Sequence, residues 1–501
     1  MNWSLAFEYH RYLKIFFSGI SIMCAAAICA VVVLLGVHNA QYNTALLGVL
    51  LFWGYGFAYG FVYLKYRFNY AIMMFMLFVF LLSRPAISMF YGDIWWYFSE
   101  DTITKSLWAL FICEVSLTLG TALVPIVADT ELKGEVVFNT VNRNSVGTAL
   151  LILVAVTGLG NLYTQMYTYM HMRNLNYEMM YTSEMVTVPL PIYVLSSIFP
   201  FAVYAYLAVL PPKKYAVPVL LLYIIAGAPM FLLGNRASLI LRIAFVTVYF
   251  FIRDIIQPGS KKWITKPIKV FFIAIVFASV FLLGLFNYTR ADQAVSTEKN
   301  MPIAVDFFYK QGTTFDTLCE GFQYESQIRG LPEATSYTMG NLIDRLEQGK
   351  IGRMITDKED FGSGNSIRIV ENGNNMAHRL SYVVFGEEIY LAGHGRGSSF
   401  LIENYYDGGH LLIGLFSFVL GLFLSFSVNL MTRGSFLINY FIISALSQIY
   451  LLPRAGASSF LTFLGEPLFW MVLLFISVAV FFSNHRIIPV HYPQRKEETT
   501  V

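Results

Sequence analysis

An all-α fold with about twelve transmembrane helices is the fold class that this sequence predicts. Of its 501 residues, 56% are hydrophobic and only 13% are charged, whereas about a quarter of the residues of a soluble domain are charged. The apolar residues form long runs, and a helix that crosses a bilayer needs roughly 17 to 25 residues. Barrel strands would instead alternate over about ten residues. The sequence therefore predicts an integral membrane protein, interrupted by one long polar segment.

Twelve apolar runs are long enough to span a membrane. They cover residues 15–37, 44–64, 70–91, 107–127, 146–163, 190–210, 215–233, 237–252, 270–286, 411–430, 436–452 and 460–482. The chain is expected to divide into nine helices within 1–289, an extracytoplasmic loop at 290–408, three helices within 409–483 and a tail at 484–501.

The distribution of Lys and Arg predicts the orientation, because short loops that carry them stay preferentially in the cytoplasm. If the N-terminus is inside, every predicted inner connection carries at least one basic residue, and together these are Arg11, Lys14, Lys65, Arg67, Lys133, Arg143, Lys213, Lys214, Arg253, Lys261, Lys262, Lys266, Lys269, Arg433, Arg486, Arg495 and Lys496. The outer connections carry few. We therefore predict that both termini are cytoplasmic and that 290–408 lies outside.

Charge and cysteine usage argue against several classes of function. The formal charge of +3 is too small over 501 residues to indicate nucleic-acid binding. Three of the four cysteines fall in apolar runs, so the sequence offers no disulfide pair and no metal-ligand spacing. No DxD-like pair of carboxylates stands in an outer loop near the spans. We expect neither a metal nor a cofactor.

The polar segment 290–408 holds more than a third of the charged side chains and is net acidic by about six charges. Its last part contains the glycine-rich turn 393–397, after which we expect a helix that begins at Ser398. Serine is a suitable N-cap, and a helix N-terminus with small residues can bind an anion. The alternative is an ordinary turn followed by a helix at the membrane interface.

Four arginines are predicted to gather at the outer face. Arg236 lies in the connection GNRAS and Arg290 at the end of the ninth run. Arg396 lies in the turn GHGRG, and Arg454 in the last outer connection. The guanidinium fork binds phosphate oxygens in bidentate fashion and keeps its charge, so such a cluster suits a lipid-linked phosphate. Arg236 could instead be a lone interfacial residue that extends to water.

Two ionisable residues are predicted at membrane depth. Arg242 lies in the eighth run and Glu114 in the fourth, and we expect them to form an ion pair. A secondary transporter of about twelve helices would bind its substrate at that depth and usually shows an internal repeat. No convincing repeat relates the two halves of this chain. A transporter should need Glu114 and Arg242, whereas an enzyme that acts on lipid-linked phosphates should need the outer arginines.

Several stretches resemble a known family. The motif GNRASLI opens one span, NYTRAD ends the next, and GHGRGSSFLIENYYDGGHLLIGL leads from the outer loop into another. Together they look like the oligosaccharide repeat-unit polymerases, the Wzy-type O-antigen or capsule polymerases, and the expected fold is GT-C-like. The O-antigen ligases are similar in plan. Arg236 and Arg290 match the two ligase arginines, but Ser398 or Ser399 stands where a ligase has a His-Asn pair, which favours a polymerase.

The resemblance implies a metal-independent glycosyl transfer at the outer face of the cytoplasmic (inner) membrane. The growing glycan on undecaprenyl pyrophosphate would move to the non-reducing end of a second lipid-linked repeat unit. The product would be O-antigen, capsule or exopolysaccharide. The expected partners are lipid-linked glycans, membrane lipids, and a flippase and a chain-length regulator of the same pathway, with no nucleic acid. The alternatives are a ligase-like glycan transferase and a secondary transporter or exporter.

The departing pyrophosphate needs its developing charge neutralised, and preorganised guanidinium groups can do this without a metal. We assign this role to Arg236 and Arg290, with Arg396 and Arg454 as second choices.

The attacking hydroxyl must lose a proton to a general base within hydrogen-bond reach. Glu403 and His394 are the candidates for this base, with Asp407 behind them. Ser398 and Tyr405 complete the predicted substrate-binding residues. Tyrosine can stack on a sugar face, although near a bilayer it is also a common interface anchor.

Overall fold

The structure is a computed structural model that describes residues 3–125, 143–173, 188–233, 236–256, 262–270, 274, 301–356, 359–362, 364–433 and 436–483. Within these ranges all regular secondary structure is helical. The predicted all-α fold is thereby confirmed for the part of the chain that is described.

The main described helices before residue 301 form most of the membrane bundle. They are α1 (Trp3–His38), α2 (Tyr42–Val62), α3 (Leu64–Leu77), α4 (Ser83–Tyr91), α5 (Glu100–Leu123), α6 (Arg143–Met172), α7 (Leu190–Ala208), α8 (Lys213–Ile225), α9 (Ala228–Leu232) and α10 (Arg236–Ile256). A π-helical turn, Phe78–Leu82, joins α3 to α4.

Residues 301–399 form a polar subdomain of short helices. These are α11 (Ile303–Gln311), α12 (Thr314–Gln323), α13 (Glu325–Arg329), α14 (Gly340–Glu347), α15 (Lys350–Thr356), α16 (Ile367–Asn372), α17 (Met376–Phe385) and α18 (Glu387–Leu391). The chain then returns through α19 (Phe400–Arg433), α20 (Phe436–Leu446), the 3-10 helices Ile449–Arg454 and Ser459–Gly465, and α21 (Pro467–Ser483).

By length and composition, nine helical stretches of the described chain could cross a membrane. The number rises to ten if Ser459–Gly465 and Pro467–Ala479, which meet at 59°, form one bent span. The sequence predicted twelve. Of the other two, 237–252 lies in α10, which is helical but carries two arginines and one aspartate after its first residue, and 270–286 lies almost entirely outside the described residues. The chain is thus a polytopic helical membrane protein with nine or ten candidate spans.

The two ends of the bundle differ in what they contact. At one end, the basic connection at Lys65 and Arg67 lies beside the last turn of α5 and the later part of α19, around a small cavity lined by Tyr66, Arg67, Thr121, Val124, Pro125, Ser425 and Asn429. At the other end, the first turn of α5 contacts the polar subdomain, and Thr102 Oγ1 donates to Gln323 Oε1 at 2.9 Å. The polar subdomain therefore lies at the end of the bundle opposite to this basic connection.

The central helices α5 and α19 touch through glycines. A Cβ added to Gly120 would overlap the carbonyl of Phe418 and lie 3.1 Å from the backbone nitrogen of Leu422. A Cβ on Gly421 would lie 3.0 Å from the backbone nitrogen of Thr121. The Thr121 hydroxyl donates to the carbonyl of Gly421 across this contact, at 3.3 Å. Small residues let membrane helices approach closely and exchange such bonds. This crossing holds α19 in the bundle.

Replacing Gly421 with alanine is expected to lower the free energy of unfolding by about 1–3 kcal/mol, because the added methyl meets backbone atoms that cannot rotate away. Thermal unfolding of the purified protein in detergent measures this. The matched control is Gly54→Ala in α2, where a Cβ would have nothing within 4 Å. Equal unfolding temperatures for the two variants would show that the close crossing contributes nothing to stability.

Three spans lose regular α-helical geometry near the end that meets the polar subdomain. The third span contains the π-helical turn Phe78–Leu82, and the span of α20 ends in the 3-10 helix Ile449–Arg454. Helix α19 is interrupted at Gly408 and Gly409, and Gly409 has a φ of 62° and a ψ of −159°, which only glycine adopts readily. Irregular backbone at such depth is tolerated where it is buried in protein or lines a cavity. The three breaks therefore lie where the bundle meets the polar subdomain.

The predicted ion pair between Arg242 and Glu114 is wrong. Arg242 Nη1 donates to the carbonyl of Tyr223 at 2.7 Å, and its guanidinium lies 4.8 Å from the centre of that ring. Glu114 is buried, and in the described part of the chain neither of its oxygens has a hydrogen-bond partner. The sequence showed that both residues lie at depth, but the rotation of each helix decides which neighbours they face.

Candidate functional site

Arg454 lies at the mouth formed by the bundle and the polar subdomain. Arg454 is an exposed residue, and its guanidinium lies 5.8 Å from the centre of the Phe80 ring and donates through Nη1 to Oε1 of Gln311 at 3.2 Å. No carboxylate among the described residues forms an ion pair with it. A 3-10 helix ends at Arg454, so the residue sits at the break in its span. An exposed arginine without an acid partner is available to a ligand anion.

Arg84 also lies at this mouth, against Gly312, the neighbour of the Gln311 that binds Arg454. It was not among the predicted site residues. It is the second residue of α4, two positions after the π-helical turn ends, and its Nε is 3.2 Å from Oδ2 of Asp316. Its guanidinium lies 4.7 Å from the centre of the Tyr309 ring. Gly312, at the end of α11, lies so close to Arg84 that a Cβ there would be 2.6 Å from the Cβ of Arg84. The signal in the sequence was an arginine directly before Pro85 near the outer end of a span.

Arg396 is brought to this mouth by the glycine-rich turn, in which Gly393 and Gly397 have φ values of 96° and 85°. Its Nη2 is 2.6 Å from Oε1 of Glu320, and its guanidinium lies 5.2 Å from the centre of the Phe385 ring. The predicted arginine is therefore in place, but it is already paired with an acid.

Asp316 and Glu320 lie one turn apart on α12, a spacing that puts both on one face of the helix. They connect Arg84 to Arg396 through two ion pairs. Burial raises the pKa of the Asp316 carboxyl, and the nearby Arg84 and Arg396 guanidinium groups offset only part of this. Burial likewise raises the pKa of Glu320, partly offset by Arg396. The sequence analysis did not select these two acids, although their four-residue spacing was visible.

Glu403 occupies the start of α19 and is almost completely buried, with 1% of its surface exposed. Its Oε1 accepts from the Ser398 hydroxyl at 2.9 Å, and its Oε2 accepts from the backbone N–H of Ala457 at 2.7 Å. A Cβ on Gly456 would lie 2.6 Å and 2.7 Å from the two carboxylate oxygens. Glu403 therefore joins α19 to the segment that follows Arg454.

The expected helix start at Ser398 is wrong by two residues. Helix α19 begins at Phe400, and the Ser398 hydroxyl donates to Glu403 instead of capping the first turn. Ser399 Oγ accepts weakly from the backbone N–H of Leu401, at 3.4 Å. The carboxylate of Glu403 therefore lies where an anion at this N-terminus was expected.

Asp407 and Tyr405 are engaged within the protein. Asp407 accepts from the backbone N–H groups of Tyr337 and Thr338, at 2.9 Å and 2.8 Å, and from the Ser336 hydroxyl at 2.6 Å. The Tyr405 hydroxyl donates to Oε2 of Glu325 at 3.2 Å. Both side chains attach the start of α19 to the polar subdomain.

His394 is exposed, and its ring lies 6.2 Å from that of Phe385. It is on the same turn as Arg396, two residues earlier. The two arginines that the sequence ranked first cannot be placed in this way. Helix α10 begins at Arg236, of which only the backbone is described, and Arg290 lies outside the described residues. Their roles stay predictions.

The described side chains include no group of three or more His, Cys, Asp or Glu residues that could hold a metal ion. What the mouth does contain is three arginines, two carboxylates and the rings of Phe80, Tyr309 and Phe385. Guanidinium groups can bind phosphate oxygens, carboxylates can accept a proton, and aromatic faces can stack on sugars. This combination suits a negatively charged, glycan-bearing ligand.

A family model described as O-antigen polysaccharide polymerase Wzy matches residues 16–485, which is most of the chain. No curated protein and no solved structure matches the chain.

Proposed function

We propose a reaction scheme for this chain, which belongs to the O-antigen polysaccharide polymerase Wzy family and therefore polymerises lipid-linked repeat units. The growing glycan leaves undecaprenyl pyrophosphate and joins the non-reducing end of a second lipid-linked unit, at the outer face of the cytoplasmic membrane. The acceptor hydroxyl attacks the anomeric carbon, the bond from that carbon to the phosphate oxygen breaks, and undecaprenyl pyrophosphate departs with the electron pair.

The single observation that supports this scheme best is the environment of Arg454. It is exposed at the mouth, has no acid partner among the described residues, and is held by Gln311 and the ring of Phe80. A guanidinium fixed in this way before the substrate binds can stabilise the charge that develops on a leaving pyrophosphate without reorganising. Arg454 therefore becomes a first choice for this role, whereas the sequence alone ranked it second.

Arg236 and Arg290 act with Arg454 in this proposal. Arg236 is the first residue of α10, and Arg454 ends a 3-10 helix and lies 5.8 Å from the ring of Phe80 in the π-helical turn. Arg396 contributes less directly, because Glu320 already neutralises it. His394, exposed on the same turn, is available to contact the sugar or to exchange a proton.

The proposed topology has twelve spans in a GT-C-like arrangement with both termini in the cytoplasm. Helix α10 and residues 270–286 would supply the two spans beyond the ten candidates. The polar subdomain would then face the outside, where a flippase delivers repeat units and a chain-length regulator acts on the product. The connection at Lys65 and Arg67, which lies at the opposite end of the bundle, would be cytoplasmic, as basic loops usually are.

Metal independence is part of the proposal, because arginines can supply the positive charge that a divalent cation would otherwise provide. The test uses the purified full-length protein and a chemically defined undecaprenyl-pyrophosphate-linked repeat unit. We expect a ladder of polymerised products at equal rates with a chelator and with added Mg²⁺ or Mn²⁺. A ladder that forms only with a metal would overturn metal independence alone. No ladder under any condition, with a substrate that a related polymerase accepts, would overturn the proposed reaction.

A further inference from the structure

We propose that Asp316 accepts the proton of the attacking sugar hydroxyl, in a site where Arg84 and Arg396 flank it. This inference rests on the proposed function, since it concerns the acceptor half of the same transfer. It assigns the general base to the polar subdomain instead of to Glu403.

The carboxylate of Asp316 is accessible to a substrate hydroxyl. The side chain of Asp316 keeps 16% of its surface exposed, whereas Glu403 is 1% exposed and uses both oxygens on donors of the protein. Asp407 accepts three hydrogen bonds from residues 336–338. A general base must come within hydrogen-bond distance of the substrate hydroxyl. Glu403 is buried, and Asp407, although exposed, has both oxygens engaged, whereas Asp316 is partly exposed and pairs with Arg84 through Oδ2.

An unfilled hydrogen-bond position lies beside Asp316, on Glu320. Glu320 is 6% exposed, and its Oε2 has no hydrogen-bond partner in the described part of the chain, although Oε1 binds Arg396. A buried oxygen that lacks a donor is unfavourable, so a ligand that supplies a donor there is favoured. A sugar ring carries several hydroxyls. One could donate to Glu320 while its neighbour donates to Asp316, with a small shift of the partly exposed Arg396.

Aromatic rings surround the two arginines that flank Asp316 and Glu320. The Tyr309 ring lies under the guanidinium of Arg84 and the Phe385 ring under that of Arg396. Tyr97, which is 57% exposed, interacts with Arg84 from a third direction. Aromatic faces suit the apolar faces of sugar rings. Arg84 keeps the base oriented through their ion pair. Gly312, which lies against Arg84, directly follows Gln311, and Gln311 binds Arg454, where the pyrophosphate is proposed to sit.

The proton balance of the step is simple. As the acceptor oxygen bonds to the anomeric carbon, its proton passes to the Asp316 carboxylate, and the electron pair of the broken bond leaves with the pyrophosphate. The neutral carboxyl then returns the proton to water. Burial raises the pKa of this carboxyl above its ordinary range, which makes it a better proton acceptor than a solvated aspartate. The charged and titratable groups that interact with it are Arg84, Arg396, Glu320, Tyr97 and Cys319.

The test is Asp316→Asn in the purified full-length protein, assayed with the defined lipid-linked repeat unit. We expect kcat to fall by about 10²–10⁴-fold, the usual range for a general base, with KM changed only a few-fold. In the wild type, kcat should decrease as the pH falls through the pKa of Asp316, because only the carboxylate accepts a proton. The residual activity of Asp316→Asn should lack this decrease. Asp316→Glu, which restores a carboxylate, should recover part of kcat together with the decrease at low pH.

The control is Asp360→Asn, which removes an exposed carboxylate of the same subdomain that pairs with Arg353. It should polymerise as the wild type does. Near wild-type kcat for Asp316→Asn would overturn this inference and leave the proposed function intact. An Asp316→Asn variant that unfolds at a lower temperature, with Asp316→Glu inactive as well, would also overturn it in favour of a purely structural ion pair. Failure of the wild type to form a ladder would instead concern the proposed function.

Discussion

Replacing Arg454 with alanine is expected to abolish long polysaccharide while the protein remains in the membrane. Cells should accumulate single lipid-linked repeat units or transfer them singly, and the purified variant should lose at least about 10²-fold in kcat, as expected when one preorganised charge-stabilising group is removed. The reason is the position of Arg454, exposed at the break in its span and without an acid partner among the described residues. Gel analysis of the glycan and the defined in vitro assay measure the two effects.

The Arg454→Lys variant should fail almost as completely. Lysine keeps the positive charge but presents a point charge instead of a planar fork, and so it cannot hold two phosphate oxygens at once. It would also lose the stacking on Phe80 and weaken the contact with Gln311. Full activity of Arg454→Lys would show that only charge matters at this position.

The matched control is Arg368→Ala. Arg368 lies in the polar subdomain. Its side chain is 61% exposed and pairs with Glu359 at 3.3 Å. Exposed pairs of this kind contribute little, so chain length should be unchanged. If Arg454→Ala and Arg368→Ala both give wild-type polysaccharide, Arg454 is not part of the site.

The sequence predicted the helical membrane fold for physical reasons that act locally. Apolar runs of spanning length and helical structure follow from the need to satisfy backbone groups within the membrane. The family resemblance, which rested on a few motifs, is confirmed by the match over residues 16–485. Arg396 and Arg454 were selected because the guanidinium fork binds phosphate oxygens, and both lie at the mouth, although their role stays a prediction.

The acids could not be selected in the same way. Asp316 meets Arg84 across more than 200 residues of chain, and Glu320 meets Arg396 through a turn that is distant in sequence. Nothing in the local sequence distinguishes these carboxylates from the solvated ones around them. The pairing depends on where α12 packs against α5 and on the rotation of α4 after the π-helical turn. For the same reason Glu403, chosen as a base, proved to be buried with both oxygens engaged.

Irregular backbone provides a link between the fold and the chemistry. The π-helical turn before Arg84, the 3-10 helix that ends at Arg454 and the interruption at Gly408 and Gly409 lie in three different spans. Each break turns a side chain or a helix end towards the polar subdomain. In a regular α-helix each residue is rotated by about 100° from the one before it, so the same arginine would point in another direction without the break. The breaks therefore decide which side chains reach the mouth, and the apolar pattern alone does not reveal them.

Glu403→Ala is expected to destabilise the protein strongly, because Glu403 connects α19 to the segment after Arg454. The substitution leaves the Ser398 hydroxyl and the Ala457 N–H without acceptors in a buried site, at a cost of about 1–3 kcal/mol for each orphaned donor. It also leaves a cavity beside Gly456. We expect a lower unfolding temperature in detergent and little protein in the membrane. The control is Glu388→Ala, which alters an exposed side chain of the polar subdomain. It should leave the unfolding temperature and the amount of protein in the membrane unchanged.

Glu403→Gln separates a positioning role from a catalytic one. The amide oxygen can accept from the Ala457 N–H while the amide nitrogen donates to the oxygen of Ser398, so both hydrogen bonds survive without the negative charge. If Glu403 positions α19, this variant should fold and polymerise within a few-fold of the wild type. If Glu403 is the general base, the variant should unfold at the wild-type temperature but lose about 10²–10⁴-fold in kcat. The second result would return the base to Glu403 and remove the main reason for assigning it to Asp316.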